Sequence, residues 1–428
     1  MSITPQELFN FSETSDACVK CGKCIPVCTI HNVNADEVTT PRGFIDLLGA
    51  YQRGHLELDK TAKDIFESCF LCTNCVDVCP KDLPTDMVIE QVRSDIADKF
   101  GIAWFKKAFF YLLRHRSTMD ILFKLGYVFQ TCGFKIKAEK NSMEPRFSLP
   151  IIKKDRLLPS MGKTSFLNSY PEETDNGGRR KVAVFIGCLA NYNYTDTGKA
   201  LMNILEKLEI DVMIPKKQLC CGAPAYFTGD FDTVDHNAKK NIRYFESFMN
   251  EVEAIIIPEA TCSAMISVDY EHFFHDQPEW RIRAKLLKDK IFMATEWLEK
   301  KTHLPQLLAS KKRKELSITY HDPCHARKMQ GIYEEPRKLI NQNYTITEMS
   351  DPNACCGFGG VTMQTEKFHF AQAAGKPKAA MIEKTGAKVV AAECSACRMQ
   401  ITNSLHEADV DSVFKNPIEL IADALEDE

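Results

Sequence analysis

The sequence has no uninterrupted apolar run of 18 residues, so no segment is expected to cross a membrane as a helix. Its 54 lysines and arginines do not outnumber its 58 aspartates and glutamates, and the net charge of −4 gives no basic field for nucleic acid. The opening stretch MSITPQELFNF lacks a basic n-region, an apolar core and a twin arginine, so no secretion leader is expected. No strand–turn–helix of the G-x-G-x-x-G type is present. Glycines 357, 359 and 360 follow a cysteine pair instead, and no P-loop lysine motif occurs. A chain without a dinucleotide fingerprint is expected to receive electrons from another protein rather than from an organic donor of its own. Together these absences point to a cytoplasmic chain, with a peripheral seat on the cytoplasmic face of the inner membrane left open.

What the chain does have is sulfur. Eighteen cysteines occur in 428 residues, and a reducing cytosol favours metal or redox roles for them over a disulfide framework. Two runs share the spacing C-x2-C-x2-C-x3-C: Cys18, Cys21, Cys24 and Cys28, then Cys69, Cys72, Cys75 and Cys79. Three thiolates at such steps wrap three corners of a cubane [4Fe-4S] cluster. In two-cluster ferredoxins the fourth cysteine of each run serves the other cluster. The expected sets are therefore Cys18, Cys21, Cys24 and Cys79 for one cubane, and Cys69, Cys72, Cys75 and Cys28 for the other. Pro80 follows the second run as that motif expects, whereas Thr29 stands where the first would have proline. Zinc, which favours two C-x-x-C pairs with a longer spacer, fits less well. The residues between the runs, including PRGFIDLLGAYQRG and DKTAKDIFESC, read as helices, so an α-helical ferredoxin domain is expected over residues 1–100.

The second half repeats itself. GCLANYNY, CCGAPAYF and PEATC recur as PCHARKM, CCGFGGVT and ECSAC. Adding 135 carries Cys220, Cys221 and Cys262 onto Cys355, Cys356 and Cys397, and Cys188 reaches Cys324 on adding 136. Cys394 corresponds to Glu259. Short apolar runs such as KVAVFIGC and AIIIPEATC alternate with helical stretches, which implies repeated α/β units with a mainly parallel sheet. The cysteines then fall at the carboxyl ends of strands, where ligands gather in open α/β sheets. The expected organisation is α + α/β, with one α/β domain over 181–312 and a second over 313–428.

A connector is expected over 101–180. Its first part, GIAWFKKAFFYLLRHRSTMDILFKLGYVFQT, is aromatic and basic. It reads either as an interfacial helix at lipid headgroups or as a helix packing the two halves together, and the second reading is preferred. Residues 133–180 read as a linker or extended arm. Cys132, the one cysteine outside every motif, is expected to be a buried small apolar residue. His321 and His325 flank Cys324 and are expected to hydrogen-bond cluster sulfur.

The repeated motif of a cysteine, a CCG and a C-x-x-C resembles the cysteine-rich CCG domain family. That resemblance implies a further iron–sulfur cluster of non-cubane [4Fe-4S] type. The second copy matches all five ligands, Cys324, Cys355, Cys356, Cys394 and Cys397. The first matches four, Cys188, Cys220, Cys221 and Cys262, and Glu259 there could supply an oxygen to iron or mark an altered or empty site. Two ferredoxin motifs followed by two CCG domains are similar to the iron–sulfur subunits of bacterial flavin-dependent dehydrogenases, of the glycolate oxidase and anaerobic glycerol-3-phosphate dehydrogenase kind. GCLANYNY, CCGAP and HDPCH resemble the glycerol-3-phosphate subunit in particular. The resemblance implies an electron-transfer subunit with no flavin of its own. A separate FAD-dependent dehydrogenase would oxidise glycolate, lactate or glycerol-3-phosphate, and electrons would pass toward membrane quinone or a membrane subunit. The same architecture is similar to heterodisulfide reductase, in which a CCG cluster cleaves a disulfide; the glutamate at 259 argues against that alternative.

Overall fold

The computed structural model describes residues 11–148, 152, 156–363 and 367–426. The stretch read for a leader, residues 1–10, lies outside them. The N-terminal region is helical. Thr40 caps the helix Pro41–Gln52 by accepting from the Gly43 N–H, with proline at the first helical position, and Asp59 caps Lys60–Glu67 through the Ala62 N–H. These helices and Thr85–Phe100 bury Phe44, Leu48, Phe66, Val88, Ile89 and Val92 in one core. Cys28, Cys69 and Cys72 of the two cysteine runs pack with that core, and the expected helical ferredoxin-type region is present.

Two parallel sheets follow. In the first, strands run in the order Glu173–Thr174, Ile210–Met213, Arg180–Val184, Ile255–Ile257 and Ile291–Met293. All pairs are parallel except the antiparallel edge strand Glu173–Thr174. In the second, the order is Thr345–Ile346, Ser317–Tyr320, Val389–Ala391 and Val413–Lys415, all parallel. The central strands are buried apolar runs (Ile255, Ile256 and Ile257 are fully buried), as expected for sheets covered on both faces. Helices Thr195–Lys207 and Pro417–Leu425 pack against each other between the sheets, so the two units share a core that includes Val184, Leu201, Leu205, Ile318, Ile421 and Leu425.

The connector differs from the expectation in two ways. Strands Phe134–Lys137, Ser142–Pro145 and Leu158–Pro159 form a three-stranded antiparallel sheet rather than a plain arm. The aromatic stretch splits into two helices, Trp104–Arg114 and Arg116–Gly133. They do pack on the first α/β unit through Phe110, Leu113 and Met119, yet most of their apolar side chains point outward. Cys132 is exposed, against the expectation of burial, because it falls on that outward face.

Candidate metal centres

The helical region brings the cysteines together in the crossed pattern. Cys28 lies against Cys69, Cys72 and Cys75 in one small cavity. Cys18, Cys21, Cys24 and Cys79 line another, with Pro80 beside them and Cys75 at its boundary. Thr29, at the position where a proline was looked for, sets its hydroxyl 3.3 Å from the Cys72 sulfur.

All five CCG cysteines of the second copy and Cys188, Cys221 and Cys262 of the first line one cavity of about 260 Å³, while Cys220 faces a smaller neighbouring one. Strand Arg180–Val184 leads into Cys188, and strand Ile255–Ile257 leads into Glu259 and Cys262; their counterparts lead into Cys324 and into Cys394 and Cys397. Each CCG therefore sits among strand ends and helix starts. Gly187 and Gly357 are needed for this. Both have positive φ (+74° and +91°), and a Cβ at Gly187 would lie 2.8 Å from the Cys262 sulfur. In the second copy the Cys356 and Cys397 sulfurs are 3.3 Å apart. In the first, Cys188 and Cys220 approach to 4.0 Å.

His321 stands beside the sulfurs of the second copy. One ring nitrogen, with the sulfurs of Cys356 and Cys397, forms a group whose members all lie within 4.8 Å of one another. Its Nδ1 faces the Pro352 carbonyl oxygen at 3.1 Å. Burial, and then Lys378, hold its pKa well below the usual histidine range, so it stays neutral. His325 sets Nδ1 3.3 Å from the Cys324 sulfur. Glu259 lines the cavity with the first copy's cysteines, and its carboxylate accepts from the Ser395 N–H at 2.8 Å and from the Ser395 hydroxyl at 2.6 Å. It thereby caps the helix Ser395–Glu407 of the other copy. Reciprocally, Thr261 places its hydroxyl 3.4 Å from Cys394. Burial raises the pKa of Glu259 to about 7, opposed by the Ser395 bonds.

The two halves meet at Cys72. It lies beside Cys355 at the edge of one core, and that neighbour, followed by burial, pushes its pKa well up. Lys328 crosses the same junction, donating to the backbone oxygens of Cys72 and Asn353, both at 3.3 Å, and to the Asn74 side chain. Arg93, fully buried, ties the helical region to the first copy: it donates to the Cys69 carbonyl at 2.6 Å and to the Phe227 carbonyl at 2.9 Å. Sequence reasoning missed Arg93, and it missed Lys378. The latter is a buried lysine that donates to the Asp351 carbonyl at 2.9 Å and faces Cys355, Cys356 and Cys397. The first copy sets a neutral side chain behind its own cysteine pair, Asn241, which donates to the Leu219 and Cys220 carbonyls. A charge on the buried face of a helix was the available signal for Lys378.

The thiols fit a metal cluster better than a packed core because they converge on shared cavities. Burial pushes Cys28, Cys69 and Cys324 up to about 12. Thiolates crowded into such dry cavities need a cation beside them. Hydrogen bonding among the neighbouring thiols lowers the pKa of Cys356 and brings that of Cys394 to about 7.

Comparison with known proteins agrees with this layout. A 4Fe-4S dicluster domain matches residues 14–83, and a cysteine-rich CCG domain matches residues 182–267 and again 318–402. The probable glycolate oxidase iron-sulfur subunit of Bacillus subtilis is 28% identical over 355 residues, covering 80% of this chain and 79% of that protein. A subunit of the fumarate reductase (CoM/CoB) of Methanothermobacter marburgensis is 27% identical over 419 residues, covering 96% of this chain and 72% of that protein. Lactate utilization protein A of Bacillus subtilis is 32% identical over 231 residues, covering 54% of this chain and 93% of that protein. With two cysteine-rich domains behind a dicluster domain, the chain belongs to the family of CCG-domain iron–sulfur proteins that includes lactate utilization protein A and the glycolate oxidase iron-sulfur subunit.

Proposed function

We propose that this chain is the electron-transfer subunit of a flavin-dependent dehydrogenase complex. Its partner would be an FAD-bearing subunit that oxidises a small hydroxy acid, glycolate or lactate, or glycerol-3-phosphate, with electrons leaving toward the quinone pool. The observation that carries the reading is the junction at Cys72, where Lys328 of the second copy donates to the Cys72 carbonyl and Cys355 lies alongside, joining the dicluster region to the second CCG site. Relatives named for glycolate oxidase and lactate utilization support the substrate class.

The ligand sets we propose are Cys18, Cys21, Cys24 and Cys79; Cys69, Cys72, Cys75 and Cys28; and Cys324, Cys355, Cys356, Cys394 and Cys397. Cys188, Cys220, Cys221 and Cys262 form a fourth site. Clusters held there would supply one-electron carriers at short separations. The chain's own contribution is to hold the sulfurs in place. Lys328 fixes the Cys72 turn to the second copy, Arg93 fixes the Cys69 turn to the first, and Phe70, Leu71 and Phe227 keep water from the junction. Iron and acid-labile sulfide per chain test the assignment. The Cys72→Ser variant should lose one cubane's worth of both, and unchanged content would reject it.

Disulfide cleavage at the second CCG site is the alternative. It draws on the shared apolar cavity, which gives a small substrate access to both copies. Glu259, bonded to Ser395 where a fifth cysteine would complete the first copy, weighs against it.

A further inference from the structure

The helix pair Trp104–Arg114 and Arg116–Gly133 is built inside out. On the second helix Ile121, Leu122, Leu125, Val128 and Phe129 recur at helical spacing and are 46–62% exposed, while the described burial on that helix is confined to Met119 and Gln130. On the first, Trp104 is 75% exposed and Tyr111 54%. Contiguous apolar surface of this kind on a folded domain marks an interaction site.

The charge around it selects the occupant. Within 104–133 stand Lys106, Lys107, Arg114, Arg116 and Lys124 against the single acid Asp120, in a chain whose net charge is −4. Lys107 and Lys124 are exposed on the two helices. An amphipathic helix with an apolar stripe, basic residues beside it, and Trp and Tyr rings available for the headgroup level matches an anionic bilayer surface. No helix among the described residues is long and apolar enough to cross a membrane, so the pair would lie in the interface. Lys106, Phe109 and Phe110 of the first helix also line the cavity that holds the CCG cysteines. The same helix therefore joins that cavity to the outward face.

We propose that this helix pair seats the protein on an anionic lipid surface, with the stripe Ile121, Leu125 and Val128 entering the acyl boundary. The proposal is independent of the substrate of the partner dehydrogenase. The test is flotation of the purified, iron-loaded protein with vesicles of phosphatidylglycerol and phosphatidylethanolamine, alongside vesicles of phosphatidylcholine alone. The protein should float with the anionic vesicles, at least tenfold more than with the neutral ones, and Trp fluorescence should shift to the blue. The triple variant I121E/L125E/V128E should lose flotation while keeping its iron content. K107E/K124E, which leaves the stripe intact, should weaken it. Wild-type protein that stays in solution with anionic vesicles would overturn the proposal. So would a triple variant that floats as before. Self-association of the wild type, abolished by the triple variant in the absence of any vesicle binding, would assign the face to a second copy and reject the membrane.

Discussion

Lys378 offers the sharpest test of the electrostatics. Its ammonium is buried beside Cys355, Cys356 and Cys397, whereas the first copy sets the neutral Asn241 behind its cysteine pair. A fixed positive charge favours the reduced, more negative state of whatever metal group those sulfurs hold. If the charge is taken to act over about 7 Å at an effective dielectric near 20, Coulomb's law gives roughly 2.4 kcal/mol. For a one-electron couple, at ~1.4 kcal/mol and ~59 mV per factor of ten, that is on the order of 100 mV. Lys378→Met should therefore lower the reduction potential of the second CCG site by about that amount and leave the two cubanes within a few tens of mV. The assay is an anaerobic redox titration followed by electron paramagnetic resonance, with iron content measured in parallel. Lys378→Arg, which keeps the charge, should recover most of the shift. Loss of the carbonyl contacts to Asp351 and Pro352 in the methionine variant costs stability, so the titration is read only on protein with full iron. An unchanged potential in fully loaded Lys378→Met would refute the reasoning, because the charge would then be screened from the sulfurs.

Other outcomes are expected. Glu259→Gln should keep iron in both copies but weaken the cap on Ser395–Glu407, lowering stability by about 1 kcal/mol in denaturant unfolding; loss of iron from the first copy alone would instead make Glu259 a ligand. Gly357→Ala should lose iron from the second copy, since a Cβ there would lie 2.9 Å from the Ala371 carbonyl oxygen; full iron would show that the turn can relax. Asp269 is buried, its Oδ2 lacks a hydrogen-bond partner, and burial raises its pKa to about 7. A carboxyl whose folded pKa lies above its unfolded value opposes folding increasingly as pH rises from about 4 to about 7. Asp269→Asn should therefore raise the melting temperature more at pH 8 than at pH 5, and an equal change at both would contradict the assignment.

Cysteine spacing and strand–helix alternation were legible because each is a local pattern. KVAVFIGC and AIIIPEATC became central parallel strands because a doubly covered strand is a continuous apolar run, whatever lies far away in the chain. That Cys28 shares a cavity with the second run and Cys79 one with the first is compatible with the spacing. Tertiary relations were not legible. That Glu259 caps a helix of the other copy, that Cys72 lies beside Cys355, and that Arg93 spans to Phe227 depend on contacts more than 100 residues apart. The outward stripe at 121–129 misled for a related reason. Apolar periodicity reports that a helix has two faces, not which one meets the core, and Cys132, expected inside because a cysteine outside every motif is ordinarily buried, falls on the outward one.

The central claim is that electrons from a partner flavin enter this chain. The most direct measurement is the visible absorbance of the protein, purified anaerobically with whatever binds it, while glycolate, D-lactate, L-lactate and glycerol-3-phosphate are added in turn. Bleaching by one of them, with a flavoprotein in the preparation, is the predicted result. A preparation containing the flavoprotein that bleaches with none of them, yet bleaches with dithionite, would contradict the claim. Bleaching by thiols alone would move the function to disulfide chemistry at the second CCG site.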